Sequence, residues 1–300
     1  MELASDPRLE AAIHAVTAWH GRDIGVTPVS VDHDERHFLI EVDDELFVLR
    51  LMSPTSARAG LDETGELEVA RAAASAGVAP ELVAVLPELG CLVTRFAPGR
   101  RISASDLMDD DLLTSIVGSI RALHACPPPT TRRSVFSEAR ELRHSAIDRG
   151  VAMPATEQPA TEAMRCIEDI GDIDLPMVAC HGDLTRANLF VDGEQVWVVD
   201  YRWAGAGDPY EDLGSIATHL DLDDERCDAL IGLYFGRIDE AARSRLALMR
   251  LAARYVAAMR ELARPPTSSA IDEGAAERHL VRMLEGFDDD RFDRWLSSVT

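Results

Sequence analysis

The segment 177–200 constrains the fold of this chain more than any other stretch. It begins with a short apolar run and continues with the polar sequence HGDLTRAN. Two further apolar runs, at 189–191 and 196–199, are joined through Asp192-Gly193. An Asp-Gly pair between two apolar runs predicts a β-hairpin. Because the ends of a hairpin return to the same edge, the residues just before and just after it are expected to lie close together.

Three oxygen-bearing side chains fall at that edge. Asn188 directly precedes the first strand, Asp200 follows the second, and Asp183 lies in the polar loop before them. Carboxylate and amide oxygens hold Mg²⁺ on phosphates, and an aspartate beside an acceptor hydroxyl serves phosphoryl transfer. Each residue alone would also fit a turn or a strand cap. Asn188 is the only asparagine in the chain, and we interpret the three together as a magnesium-dependent kinase site.

The spacing of these residues carries a family resemblance. HGDLTRAN matches the H-R-D-L-x-x-x-N catalytic loop of kinases, and Asp200 falls where the D-F-G aspartate would. With VVDYRWAGAGDPYEDLG at 198–214, the sequence resembles the aminoglycoside phosphotransferase and choline/ethanolamine kinase superfamily. It looks most similar to the bacterial choline-kinase-like branch, and the resemblance extends from Val26 to Leu296.

The resemblance implies an α+β, protein-kinase-like bilobal fold. A small antiparallel β-sheet N-lobe is expected over residues 1–97 and a mainly α-helical C-lobe over residues 98–300, together forming one kinase-like domain. It also implies the roles of three residues in a kinase that uses ATP and Mg²⁺. Asp183 would be the catalytic residue, and Asn188 and Asp200 would hold the metal.

The same resemblance assigns residues that bind the nucleotide or support the loop. Arg50, in the strand FVLRL, takes the place of the kinase lysine that holds the phosphates, in a chain that contains no lysine. Glu66 on the following helix would be the partner of Arg50. Backbone groups of Thr94, Arg95 and Phe96 would bind the adenine. His181 and Asp212 would brace the catalytic loop.

One departure from the family lies at 31–36, where VDHDER replaces the glycine-rich turn over the phosphates. Carboxylates near a triphosphate repel it unless they turn outward. We therefore interpret this stretch as a solvent-facing loop without a phosphate role.

Hydrophobic periodicity predicts the remaining elements. Strands are expected at 26–31, 37–42, 46–51, 82–86 and 91–96. Helices are expected from Asp6-Pro7 onward and at 61–76, 109–124, 136–148, 157–170, 223–234, 240–262, 272–284 and 290–296. The sequence Asp208-Pro209-Tyr210-Glu211 is predicted to form a capping box at the start of another helix.

Charge and cysteine use narrow the classes of partner and compartment. The formal net charge of −23 argues against nucleic acids and anionic membranes, since both require positive charge on the protein. No apolar run approaches the ~20 residues that span a bilayer, and residues 1–20 show no targeting pattern. The five cysteines are scattered without a C-x-x-C pair, so we expect a cytoplasmic protein. No oligomeric state is predicted.

The acceptor is expected to be a small molecule with a hydroxyl group, and three classes remain open. The family branch favours an amino alcohol such as choline or ethanolamine. The superfamily and the acidic charge favour an aminoglycoside, and Arg202, where choline kinases commonly have an acid, favours a sugar or amino sugar. Trp203, Tyr210 and Tyr255 are candidate acceptor-binding residues, because aromatic faces hold cations. A pseudokinase without turnover is the hypothesis from another class, motivated by the acidic loop.

Overall fold

Alternating apolar residues in the first third of the chain form a five-stranded antiparallel sheet. The computed structural model describes residues 7–32, 35–52, 63–103, 106, 109–170, 176–264 and 274–299. The strands are β1 (Ile24–Asp32), β2 (Glu35–Val42), β3 (Glu45–Leu51), β4 (Leu82–Leu86) and β5 (Cys91–Arg95). They lie in the order β1-β2-β3-β5-β4, which places β3 and β5 inside the sheet.

One face of this sheet carries a hydrophobic core of its own. Ile40 and Phe47 are buried on it, because alternate residues of a strand point to the same side. The helix α1 (Pro7–Ala15) and a 3₁₀ turn at Thr17–Trp19 cover this face. The ring of Trp19 lies 5.3 Å from that of Phe47, centroid to centroid.

The hairpin of β1 and β2 contains the glycine-free stretch. Its register pairs Asp32 with Glu35. His33, Asp34 and the side chains of 30–35 lie outside the described residues. The predicted solvent-facing role of this loop therefore lies outside them as well.

The helix α2 (Glu63–Ser75) contributes its buried residues to the core of the helical part and none to the core of the sheet. Its buried residues Val69 and Ala73 belong to a second, larger core formed mainly by the helical part. A backbone hydrogen bond of 2.8 Å from Val198 N to Val78 O fastens the segment after α2 to the same part. α2 therefore links the two regions of the molecule.

The remainder is mainly helical. It comprises α3 (Asp110–His124), α4 (Val135–Asp148), α5 (Glu157–Glu168), α6 (Pro209–His219), α7 (Asp224–Phe235), α8 (Glu240–Leu262), α9 (Ala275–Phe287) and α10 (Phe292–Ser298). α8 contacts α4, α5, α6, α7, α9 and α10, and its apolar side chains form the centre of the larger core. Among the described helices, none combines the length and apolar composition that crossing a bilayer requires.

Two small sheets contain the strands of segment 177–200. β8 (Leu189–Asp192) and β9 (Gln195–Val198) form the predicted hairpin, and β6 (Arg100–Arg101) pairs with β8. β7 (Val178–Cys180) pairs with β10 (Gly205–Gly207). Strands β6 and β10 were not predicted, because two or three residues are too short for a periodic signal.

Candidate active site

The β8–β9 hairpin closes as the sequence predicts and brings its two ends together. Val199 N donates to Asn188 O at 3.0 Å, directly before Asp200. Asn188 Nδ2 donates to Asp183 Oδ2 at 3.0 Å and to Asp183 O at 2.9 Å. Asp200 has φ of 66°, a left-handed conformation that costs a non-glycine residue about 1–2 kcal/mol. The structure therefore brings Asp183, Asn188 and Asp200 to one edge.

Buried hydrogen bonds brace the loop that carries Asp183. Asp212 on α6 accepts from His181 N at 2.7 Å and from Gly182 N at 2.8 Å. Its Oδ2 also lies 2.9 Å from His124 Nε2. Burial raises the pKa of Asp212, but the hydrogen bond from His124 and the neighbouring charges outweigh it and leave the pKa below its usual range. Asp212 thus holds the loop as an ionised acceptor.

His181 connects Asp183 to the strand before Asp200. Asp183 N donates to His181 Nδ1 at 3.1 Å, so the ring hydrogen is on Nε2, which donates to Val199 O at 3.0 Å. Between the two lies Gly182, with φ of 79°. A Cβ on Gly182 would lie 2.3 Å from the carbonyl oxygen of Trp203, so only glycine fits this turn.

A cluster of buried charges surrounds Asp200. Arg50 on β3 forms an ion pair with Glu66 on α2, and Arg50 Nη1 lies 3.4 Å from Asp200 Oδ1. Arg202 Nη2 donates to Asp200 Oδ2 at 2.9 Å. Burial raises the pKa of Asp200, but Arg202 and Arg50 outweigh burial and hold this pKa well below its usual range.

This cluster lies at one end of a cleft between the five-stranded sheet and the helical part. The cleft has a volume of about 250 Å³. Its lining includes the apolar residues Val48, Ala70, Leu92, Ala97, Phe190 and Val199 and the polar residues Arg50, Glu66, Asn188 and Asp200. Leu92 pairs with Arg50 in the sheet, and Ala97 follows five residues later. At the rise of a strand, the cleft therefore extends roughly 15 Å from Arg50 to Ala97.

The predicted adenine-binding residues Thr94, Arg95 and Phe96 line the other end of the cleft. Arg95 N donates to Glu81 O at 2.9 Å, and Phe96 N donates to Leu46 O at 3.0 Å. Both amides are therefore engaged. Ala97 is buried in the cleft wall, and its N–H has no partner among the residues that the structure describes. Among the described residues, Ala97 N–H is therefore a further donor at this end of the cleft, which the sequence analysis did not include.

Two residues at the cleft are suited to a metal ion. Asn188 uses its amide nitrogen on Asp183, which leaves the amide oxygen as an acceptor. The carboxylate of Asp200 retains lone pairs beyond the two that face arginines. Hard oxygen donors of this kind are the ligands that Mg²⁺ prefers, so the donor set fits that ion.

A second, smaller cavity lies behind Asp183. This inner cavity measures about 30 Å³, and its lining includes Arg133, Glu138, Gly182, Trp203, Glu211 and Arg260. The predicted capping box at α6 is wrong. Asp208 accepts from Tyr210 N at 2.9 Å, but Glu211 accepts from Val135 N at 3.1 Å instead of returning to Asp208. Glu211 thereby reaches the inner cavity.

Arg260 on α8 is the residue that sequence reasoning missed. Its guanidinium forms an ion pair with Asp183, donates to Glu138 Oε1 through Nε at 2.8 Å, and donates to Gly182 O at 2.8 Å. Burial raises the pKa of Glu138, although Arg260 and Arg133 partly offset that rise. The sequence contains a signal for this role. Arg260 follows Ala253 and Val256 at helical spacing, and both line the same cavity.

Only one of the three candidate aromatic residues lines the inner cavity. The guanidinium carbons of Arg133 and Arg260 lie over the Trp203 ring, 5.0 and 4.8 Å from its centroid. Tyr210 is buried against Phe235, with ring centroids 4.9 Å apart, and lines neither the cleft nor the inner cavity.

Tyr255 lies elsewhere too. Its hydroxyl is 2.6 Å from Thr161 Oγ1, and it lines a separate cavity of about 400 Å³ bordered by α4 and α5. Tyr210 and Tyr255, which the sequence analysis offered as acceptor-binding residues, therefore line neither the cleft nor the inner cavity. Their helices turn these side chains towards other neighbours.

Comparisons with known proteins agree with this geometry. Residues 25–249 match the family model described as the phosphotransferase enzyme family. Protein LicA from Haemophilus influenzae is 23% identical over 164 residues, which cover 53% of this chain and 48% of that protein. The same protein from a second strain is matched over 61% of its length, so the chain spans about half of the curated relatives it matches.

Solved structures share the fold over nearly the whole chain. A choline/ethanolamine kinase family protein from Mesorhizobium loti has a TM-score of 0.79 at 22% identity, covering 98% of both chains. Spectinomycin phosphotransferase, solved with ADP and spectinomycin, has a TM-score of 0.62 at 13% identity, covering 97% of this chain and 98% of that one. The family model spans well over half of the sequence, and this chain therefore belongs to the phosphotransferase enzyme family, with the kinase-like fold of choline/ethanolamine kinases and aminoglycoside phosphotransferases.

Proposed function

We propose that this protein is an ATP-dependent kinase that phosphorylates the hydroxyl of a choline- or ethanolamine-like amino alcohol. The charge of the inner cavity is the observation that supports this class of acceptor. Glu211 lies in its wall, and no cation pairs with it among the described residues. Asp183 and Glu138 share a single guanidinium, that of Arg260. Buried acids that exceed their counter-charges favour a cation, so an ammonium group fits this cavity.

The size of the inner cavity favours the smallest of the three acceptor classes. At about 30 Å³ it has room for only about two or three water molecules, each of which needs about 10–15 Å³ of cavity. An aminoglycoside or an amino sugar would bring the same ammonium and hydroxyl groups but would need a far larger opening. An amino alcohol requires the smallest rearrangement.

The cleft is the proposed nucleotide site. Its apolar walls suit an adenine ring, and the N–H of Ala97 is available to the ring edge. Arg50, oriented by Glu66, would bind phosphate oxygens at the opposite end. The roughly 15 Å between these ends suits a nucleotide that lies extended. The ADP in the structure of spectinomycin phosphotransferase supports a nucleotide donor of this type.

Asn188 and Asp200 are the proposed metal ligands, and Asp183 the catalytic residue. Mg²⁺ supplies charge neutralisation on the transferring phosphates when it is bound. The acceptor hydroxyl would donate to the carboxylate of Asp183, which Asn188 orients through Oδ2. The hydroxyl oxygen attacks the γ-phosphorus, the bond to the bridging oxygen of ADP breaks, and Asp183 receives the hydroxyl proton. The bracing by His181 and Asp212 keeps this carboxylate in place.

The test is an ADP-release assay with Mg-ATP across choline, ethanolamine, aminoglycosides and amino sugars. We expect turnover with an amino alcohol, at the lowest KM of the panel, and none in Asp183→Ala. Faster turnover of an aminoglycoside or amino sugar would show that the acceptor belongs to that class and not to the amino alcohols. Mg-ATP binding without turnover of any acceptor would favour the pseudokinase. Calorimetric titration with ATP, in the presence and in the absence of Mg²⁺, tests the nucleotide site independently of turnover.

A further inference from the structure

The side chain of Arg260 occupies the place where a cationic acceptor would bind. Its guanidinium lies between Asp183 and Glu138 and over the ring of Trp203, 4.8 Å from the centroid. A hydroxylated ammonium ion needs the same surroundings: a catalytic carboxylate for its hydroxyl, a second acid, and an aromatic face for its charge. Arg260 satisfies all three with an internal cation.

The space left beside this guanidinium is too small for an acceptor. The inner cavity measures about 30 Å³, which holds about two or three water molecules. Glu138 and Glu211 border it and are anchored by hydrogen bonds to Arg260 and to the backbone of Val135. Arg260 lies in the last turn of α8 on a long flexible side chain. It is therefore the group that can leave.

We propose that Arg260 is an internal substitute for the positive charge of the acceptor, and that acceptor binding exchanges one cation for another. This inference rests on the proposed function and deepens it. It makes Arg260 a specificity-determining residue, because only an acceptor with its own positive charge restores the balance that the departing guanidinium removes.

The charge argument sets the direction of the selectivity. When a neutral alcohol displaces Arg260, Asp183 and Glu138 remain buried without a counter-charge. Removing one partner of a buried ion pair is strongly unfavourable. When an ammonium alcohol displaces Arg260, the carboxylates exchange one cationic partner for another, and the ring of Trp203 keeps a cation. The arrangement therefore discriminates against uncharged hydroxyl compounds of the same shape.

The first experiment tests the exchange without any substrate. Arg260→Ala removes the guanidinium, and methylguanidinium should then bind in its place, raising the Tm of the variant by about 2–4 °C when present well above its Kd. Methylurea, the neutral analogue, should raise the Tm of Arg260→Ala far less. Arg250→Ala on the same helix, which loses a bond to Leu222 O of 2.7 Å and an ion pair with Asp224 away from the inner cavity, should respond to neither compound. Equal effects of the two compounds on Arg260→Ala, or none, would overturn the proposal.

The second experiment measures the exchange during turnover. Wild type should use choline but not dimethylbutanol, in which carbon replaces the nitrogen. In Arg260→Ala the KM for the cationic acceptor should fall about tenfold, since the competing internal cation is gone. Arg260→Lys keeps a charge in the cavity and should lower the KM in the same direction by a smaller factor. A fall in kcat at unchanged KM would instead make Arg260 only a support for Asp183 and would contradict the exchange.

The two experiments separate the two claims. If methylguanidinium binds selectively to Arg260→Ala while no alcohol is phosphorylated, the proposed function fails and the cation subsite stands. If choline and dimethylbutanol are phosphorylated equally well, the kinase assignment stands and the exchange fails.

Discussion

The cleft and the inner cavity lie near opposite sides of the loop that carries Asp183, with Asn188 in the cleft wall and Gly182 in the wall of the inner cavity, and they differ in charge and in size. At the polar end of the cleft, the cations Arg50 and Arg202 face the anions Glu66 and Asp200, and the charges balance before any ligand arrives. The inner cavity is lined by the acids Glu138 and Glu211 and by Arg133 and Arg260. Arg260 also pairs with Asp183, and Glu211 has no cationic partner among the described residues. The cleft measures about 250 Å³ and the inner cavity about 30 Å³.

The difference indicates that the two sites are prepared in different ways. Preformed ion pairs at the cleft orient Arg50 and Asp200 without a ligand, so a nucleotide meets groups that are already in place. The inner cavity is closed by a protein cation and must open. We therefore expect nucleotide binding to depend mainly on the balanced charge cluster, and acceptor binding on the displacement of Arg260.

The largest expected effect comes from removing the carboxylate that faces the cleft. Asp200→Ala takes away a proposed metal ligand, and kcat should fall by about a thousandfold or more. Binding of Mg-ATP measured by calorimetry should be lost, while the circular dichroism spectrum stays that of the wild type. Asp192→Ala, in the exposed turn of the same hairpin, is the matched control and should retain activity. Near-normal turnover of Asp200→Ala would contradict the metal assignment.

The next effect tests whether the balanced cluster of the cleft is needed for stability. Glu66→Ala leaves Arg50 buried without its main partner, and breaking a buried pair in this way costs about 3–5 kcal/mol. The free energy of unfolding from urea titrations measures this loss. A double variant with methionine at both positions removes both charges and should recover most of it. If the single and double variants are equally unstable, the ion pair is not the source of the stability.

The sequence predicts those elements whose geometry depends on residues that are close together in the chain. The hairpin of β8 and β9 could be predicted because an Asp-Gly turn fixes its geometry, and that turn places Asn188 beside Val199, directly before Asp200. The strands and most helices follow from periodicity, and α8 begins and ends at the predicted residues. The element boundaries elsewhere differ by a few residues, since helix ends are set by local caps and packing.

The inner cavity was harder to predict because its residues come from distant parts of the chain. Glu138, Trp203, Glu211 and Arg260 lie on α4, the loop after β9, α6 and α8. Nothing local marks Glu211 as a cavity acid, and its position in the chain suggests a capping box instead. Only the folded chain brings the first residue of α4 close enough to offer Val135 N as an alternative partner. The positions of Tyr210 and Tyr255, away from the inner cavity, depend on helix packing in the same way.

A smaller effect tests the aromatic wall of the inner cavity. Trp203→Leu removes the ring that lies under Arg133 and Arg260, and it should lower the free energy of unfolding by about 2 kcal/mol. The KM for the acceptor should change with it, because the ring would hold the incoming cation. Trp295→Leu is a matched control outside the site, since Arg291 lies 5.2 Å from that ring centroid. An acceptor KM that changes equally in both variants would remove Trp203 from the site.

The smallest effect, and the most specific to the inner cavity, is the pH dependence that Glu211 confers. Burial raises the pKa of Glu211 well above its ordinary 4.5, and the nearby Asp208 and Asp212 raise it further. A carboxyl whose pKa is higher in the folded protein binds protons more tightly there than in the unfolded chain. The free energy of unfolding therefore falls as the pH rises from about 4.5 through the folded pKa.

Glu211→Gln can still accept from Val135 N but cannot ionise. Urea titrations at pH 5 and pH 8 should show a smaller loss of stability in Glu211→Gln than in wild type, whereas Glu194→Gln at an exposed turn should behave as wild type. A cationic acceptor should reduce the wild-type loss, because it stabilises the ionised carboxylate. An unchanged pH dependence in Glu211→Gln would show that the excess acid of the inner cavity is not Glu211.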